Sequence, residues 1–295
     1  MRPQNRTIGR ASFTLLARWA PPLAAQLAVR QFGAIPRRAK RAVDAWWQRI
    51  DREEFTVGAG NTAVAYSVGQ GPRVLLVHGW GSSAQQLGSL VTALLDQGLA
   101  VTALDGPGHG AARGFRPSML AFARAITLAS ERFGPFEGLV AHSLGAGAAT
   151  LAMSRGMSVE RAVYLSPLVE PQAHFERLVT ELGLERVALL ELAERHFGIH
   201  WEDADVARHA RKLRVPLRVF HDPKDRAVPF RESEALVEAW RGAELVPAHG
   251  LGHRRILDAK NVGAGTLEFL LSRPASRSAI VENHAIRGAA LRAQP

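Results

Sequence analysis

Two rhythms of apolar residues alternate along this chain from about residue 52 onward. Glu53–Val57 and Thr62–Val68 alternate apolar with polar positions and flank Gly58-Ala59-Gly60-Asn61, the pattern of a β-hairpin. Six short, nearly continuous apolar runs follow: Arg73–Val77, Leu99–Leu104, Gly138–Ala141, Ala162–Leu165, Leu217–Phe220 and Glu244–Val246. Such runs suit strands buried on both faces, which a parallel sheet produces. Helical stretches separate them at Ala84–Asp96, Ser118–Arg132, Leu144–Arg155, Arg231–Trp240 and Arg255–Leu271. The alternation predicts an α/β fold, a mostly parallel eight-stranded sheet flanked by helices.

One interval departs from that rhythm. Between Val169 and Arg214 the chain is charged and helical in pattern, with Phe175, Leu178, Val179 and Leu182, then Val187, Leu190 and Leu192. A single crossover helix needs far less chain, so residues 169–214 are expected to form a small helical cap over a site at the sheet edge. The resulting organisation is a basic helical N-terminal extension at 1–51, an α/β domain at 52–272 carrying that insertion, and a C-terminal tail at 273–295.

Charge is distributed unevenly among these parts. Of the formal net charge of +10, residues 1–50 hold +9 and residues 273–295 hold +3, while residues 51–272 sum to −2. A near-neutral body without a recognition motif argues against nucleic acid as a partner. No run nears the roughly 20 apolar residues that a membrane span requires. Arg18 and Pro21-Pro22 interrupt the most apolar early segment, which argues against a secretory signal. The acid-free first 43 residues share the Arg-rich composition of organellar transit peptides, although any Arg/Ala-rich chain does so. The expectation is a cytoplasmic protein with peripheral membrane contact through residues 1–50 as a further option. Val43, Trp46, Trp47 and Ile50 share one helical face with basic residues around it; that stripe either packs on the body, the commoner use, or lies on an anionic membrane. The chain has no cysteine, which removes disulfides, thiolate metal sites and a cysteine nucleophile.

Chemistry concentrates where apolar runs end. Leu139-Val140-Ala141-His142-Ser143-Leu144-Gly145-Ala146-Gly147 runs from a strand through a serine straight into a small-residue helix. That is the layout of a nucleophile elbow, in which a tight turn lifts the serine Oγ above the sheet. Ala141 stands where the motif usually has glycine. The N–H of Leu144, at the helix start, is a candidate oxyanion donor. Leu75-Leu76-Val77-His78-Gly79-Trp80-Gly81 ends another strand, and its loop is expected to supply the second donor through the N–H of Trp80. Trp80 and His142 are candidate pocket residues; His78 reads as a buried imidazole bound to loop backbone. Asp105 and His109, in Asp105-Gly106-Pro107-Gly108-His109-Gly110, read as loop scaffolding. Two later loops, His221-Asp222-Pro223-Lys224-Asp225 and His249-Gly250-Leu251-Gly252-His253, complete a Ser, Asp, His order.

Residues 52–272 resemble the α/β-hydrolase superfamily. The resemblance implies Asp225 as the acid, four residues after His221 and ahead of Val228-Pro229, and His253 as the base in Gly250-Leu251-Gly252-His253. Asp222 and His249 are the local alternatives. It implies Ser143 as nucleophile, no metal and no cofactor. A serine at this position also argues against dehalogenase and epoxide-hydrolase relatives, which use a carboxylate there. The expected activity is a serine-dependent carboxylic ester hydrolase acting on a small acyl substrate. An acyltransferase or thioesterase on the same residues is the alternative, and a non-catalytic ligand-binding relative the less favoured one.

Overall fold

A computed structural model describes residues 15–16, 18–33, 35, 50–114, 117–181 and 186–272. The C-terminal tail and the stripe positions Val43, Trp46 and Trp47 lie outside the described residues. Eight strands form one open sheet: β1 (Asp51–Gly58), β2 (Asn61–Val68), β3 (Arg73–Val77), β4 (Ala100–Asp105), β5 (Phe136–His142), β6 (Val159–Leu165), β7 (Leu217–His221) and β8 (Ala243–Pro247). Their order is β1-β2-β4-β3-β5-β6-β7-β8. The hairpin β1–β2 and the β2–β4 pair are antiparallel, and all remaining pairs are parallel. Each predicted run is therefore a strand, and the order reverses direction between β3 and β5.

Alternation along the central strands divides the core in two. Leu75, Val77, Leu139, Ala141, Ala162 and Tyr164 face one side, where α3 (Met119–Phe133), α4 (Leu144–Ser154) and α8 (Phe230–Ala239) cover them. Val74, Leu76, Val140, Val163 and Leu165 face the other, beneath α2 (Gly88–Leu95) and α10 (Lys260–Leu271). Period-two burial on both faces explains why these strands read as unbroken apolar runs. Two expected helices are interrupted. A 3₁₀ turn at Ala84–Leu87 precedes α2, and α9 (Gly252–Arg255) is separated from α10 by Ile256–Asp258 and an extended Ala259 (φ −75°, ψ 119°). The break lets Ile256 and Leu257 turn into the core together.

The insertion consists of α5 (Pro171–Glu181), α6 (Arg186–Phe197), a 3₁₀ turn at Trp201–Ala204 and α7 (Val206–Ala210). A helix from the amino-terminal segment, α1 (Pro21–Phe32), packs against it. Ala24, Ala28 and Val29 of α1 meet Phe175, Val179, Ala193 and Phe197 in a separate apolar cluster. Pro21 and Pro22 open this helix rather than interrupt it, since the first turn has no intrahelical acceptor for the missing N–H. The insertion is also tied to the body. Buried Glu232, on α8, accepts the N–H groups of Val169 and Glu170 at 2.8 and 3.0 Å and stands 3.5 Å from Arg177 of α5. Among the described residues, no helix is long and apolar enough to cross a membrane.

Candidate active site

Ser143 occupies the turn between β5 and α4 with φ 53° and ψ −125°, a combination that side-chain-bearing residues rarely adopt. Backbone bonds hold it there from both sides. Its N–H donates to Leu165 O at 3.0 Å, and its carbonyl accepts from Ala146 and Leu168 at 3.0 and 3.1 Å. Close approach is possible because neighbouring positions lack side chains. A Cβ on Gly145 would lie 2.3 Å from the His78 carbonyl, and one on Gly79 would lie 2.8 Å from the Ser143 Cβ. The loop after β3 is thereby pressed against the serine turn, at the carboxyl ends of the two strands between which the sheet order reverses, where ligands bind in open α/β sheets.

His253 reaches the same point from the loop after β8. Its Nε2 lies 3.0 Å from Ser143 Oγ, and its Nδ1 lies 2.8 Å from Asp225 Oδ2. Asp225 is buried and its Oδ1 accepts the N–H groups of Ala227 and Val228. Burial alone would raise the Asp225 pKa, but hydrogen bonds from His221 and His253 outweigh it and hold the group well below the ordinary carboxylate range. His221 Nε2 is 3.1 Å from the Val228 carbonyl and 3.3 Å from Asp225 Oδ2. A carbonyl only accepts, so this nitrogen carries the proton and donates. His221 Nδ1 then accepts from Ser233 Oγ at 2.7 Å. His221 entered the sequence reading only as a spacing marker, yet it is a direct partner of the acid.

The alternatives fall elsewhere. Asp222 accepts from Lys224 N and Gly252 N, so it clamps the loop after β7 to the loop after β8. Its burial is outweighed by these backbone donors, and its pKa is lowered. His249 is exposed on the turn ahead of His253. His78 is fully buried, with Nδ1 2.8 Å from Gly79 O and Nε2 accepting Gly106 N–H at 3.2 Å, the expected scaffolding role. Asp105 bonds Tyr66 Oη, Ala84 N and Ala111 N at 3.0, 2.7 and 2.9 Å, joining the loops after β3 and β4.

A cavity of about 310 Å³ opens over the serine. Ser143 and His253 form part of its wall with Trp80, Leu144, Met119 and Leu168, and the insertion contributes Phe197, Ile199 and Trp201. Of the two expected pocket residues, Trp80 and His142, Trp80 lines the cavity. His142 does not: it is absent from the cavity wall. Its Nε2 donates to the His253 carbonyl at 2.8 Å, and its ring lies 4.8 Å from the His253 ring. Burial, reinforced by the nearby His253, pushes its pKa down to about 3. The turn at Ser143 explains the difference, because it sends consecutive side chains in divergent directions. Phe32 of α1 is a wall residue that the sequence reading missed. Its only signal was the helical apolar spacing of Ala24, Ala28 and Phe32 inside a segment read mainly for charge. Among the described residues, no group of three or more His, Asp or Glu side chains could hold a metal ion.

Chemically, the array can pass the Ser143 hydroxyl proton to an imidazole whose other nitrogen is held by an ionised carboxylate. A family model described as serine aminopeptidase, S33, matches residues 71–197, a stretch that includes Trp80, Ser143 and part of the insertion. No curated protein sequence matches the chain. Solved structures of similar fold include an esterase from Exiguobacterium antarcticum (16% identity, TM-score 0.58, 72% of this chain and 97% of that one). A bromoperoxidase from Bacillus anthracis aligns at 19% identity and TM-score 0.60 over 75% of this chain and 100% of its own. A ferulic acid-bound Est1E from Butyrivibrio proteoclasticus aligns at 19% and 0.59 over 74% and 98%. Its sheet order and these likenesses together give the chain the α/β-hydrolase fold.

Proposed function

We propose that the protein is a serine hydrolase of carboxylic esters, working through an acyl-enzyme on Ser143. The observation that carries this reading is the continuous hydrogen-bonded line from Ser143 through His253 to Asp225 at the wall of an apolar cavity. His253 Nε2 accepts the Ser143 proton as Oγ attacks the ester carbonyl carbon, and returns it to the departing alkoxide. Asp225, held ionised, fixes the imidazole tautomer and stabilises the imidazolium. Water then attacks the acyl carbon while giving a proton to His253, and the C–Oγ bond breaks as His253 returns that proton to Ser143 Oγ and the acid leaves.

The tetrahedral oxyanion is stabilised by the N–H groups of Leu144 and Trp80. Leu144 is the first residue of α4, where backbone donors lack intrahelical acceptors. Gly79 permits the close approach that brings the Trp80 backbone toward Ser143. Donors of this kind are worth on the order of 100- to 1000-fold in rate each. His142 acts as a positioning residue by holding the His253 backbone. The helical insertion serves as a cap that keeps water out of the cavity.

A chain-length series of p-nitrophenyl esters, run with wild type and Ser143→Ala together, tests the reading. At about 310 Å³ the cavity is at the small end for ligand sites, so rates should peak at short acyl chains and decline beyond them. Ser143→Ala should lose at least about 1000-fold. Residual activity near wild type, or failure of a fluorophosphonate to label Ser143 in folded protein, would reject the assignment.

A further inference from the structure

Large apolar side chains exposed among the described residues are Leu15 (60%), Trp19 (79%), Leu23 (50%) and Leu271 (47%). Three of these four are spaced four residues apart at the amino-terminal end of α1 and just ahead of it. Leu15 and Trp19 lie four residues apart in a helical stretch that a bond from Ala20 N to Leu16 O (2.8 Å) closes. Leu23 lies in the first turn of α1, which opens with bonds from Leu23 N and Ala24 N to Ala20 O (3.0 Å each). Ala24, Ala28 and Val29 of α1 are buried on the insertion, and the exposed positions of that helix include Leu23, Gln26 and Arg30. Trp19, just ahead of it, is 79% exposed, and a large apolar side chain of that kind is normally covered.

The charge around the stripe identifies its occupant. Arg18 and Arg30 are exposed beside it, and α1 contains no acidic residue. The whole of residues 1–50 carries a net charge of +9. A second copy of this chain placed on the stripe would bring two such segments together and be repelled. An anionic lipid surface attracts the basic residues and accepts leucine and tryptophan at headgroup depth, where tryptophan is favoured.

We propose that Leu15, Trp19 and Leu23 form a membrane-docking face that seats α1 on an anionic lipid surface. The basic residues supply attraction and the stripe supplies insertion. Neither alone suffices, since a few surface cations are screened by salt and three apolar side chains are a small area. The docking face stands independently of the reaction that the cavity supports.

The test is sedimentation of the full chain with vesicles of phosphatidylcholine, alone or mixed with phosphatidylserine. Wild type should sediment with the mixed vesicles and remain in solution with the neutral ones. Leu15→Ser/Trp19→Ser/Leu23→Ser should lose at least about tenfold in binding at an unchanged melting temperature. Because the chain has no cysteine, Trp19→Cys carrying an environment-sensitive fluorophore provides a second reading that needs no triple variant. Its emission should shift to the blue only with the mixed vesicles. Wild type that stays in solution with both vesicle types overturns the proposal. So does a folded triple variant that sediments as well as wild type, or a wild-type dimer that the triple variant converts to monomer.

Discussion

Replacing Ser143 by glycine should leave a more stable protein than replacing it by alanine, the reverse of the usual order. Both variants remove Oγ and its 3.0 Å contact with His253, so that loss cancels between them. What differs is the backbone. At φ 53° and ψ −125° a Cβ is strained, and residues held in such regions cost about 1–3 kcal/mol. Glycine adopts this geometry freely and brings an unfolded-state entropy penalty of about 0.5–1 kcal/mol. The difference favours Ser143→Gly by about 0.5–2 kcal/mol. For a chain of this size that is a melting temperature higher by about 1–3 °C.

Thermal unfolding of both variants, followed by circular dichroism, measures the difference directly. Ala235→Gly, in the middle of α8, provides the contrast. There the backbone is helical and glycine should cost about 1 kcal/mol. If Ser143→Ala matched or exceeded Ser143→Gly, the turn would not be strained, and backbone strain would not explain how the hydroxyl is presented. The expected sign also has a functional meaning. A serine in a position that suits glycine is a stability cost retained at the proposed nucleophile, held by the three backbone bonds to Leu165, Ala146 and Leu168.

Two further predictions concern the neighbours of the serine. Asp225→Asn should lower kcat on a soluble ester by about 10⁴-fold, because the imidazole loses its orienting anion, whereas Asp222→Asn should cost far less, since Asp222 only clamps two loops; equal losses would reverse their roles. His142 is held neutral with a pKa of about 3, below the unfolded value of about 6.5, so the unfolded state binds the extra proton between those values. Stability contributed by this group is therefore intact above pH 6.5 and falls as the pH drops toward 3, by about 2 kcal/mol at pH 5. Denaturant unfolding of wild type and His142→Gln at pH 7 and pH 5 reads that difference, and identical pH dependence in the two proteins would contradict it.

How much was legible in the sequence follows from how far apart the interacting residues lie. Strands buried on both faces announce themselves through their own composition, and six of the eight were read that way, the other two as an alternating hairpin. Ser143, Asp225 and His253 were legible because each follows a buried strand in the required chain order, and the structure brings those three together rather than Asp222 or His249. His142, expected in the pocket, is absent from its wall although it adjoins Ser143 in sequence, because the turn at Ser143 lies between it and the cavity. The cavity wall was illegible for a different reason. Phe32 and Phe197 are 165 positions apart and meet through packing between helices, which neither helix encodes in its own periodicity. The exposed apolar residues around the start of α1 went unread for another reason. Pro21-Pro22 read as an interruption of an apolar run, whereas two prolines at a helix start direct the chain into α1. Once that helix exists, its inner side is accounted for by the insertion, and Leu15, Trp19 and Leu23 become a surface whose burial the rest of the described chain does not supply.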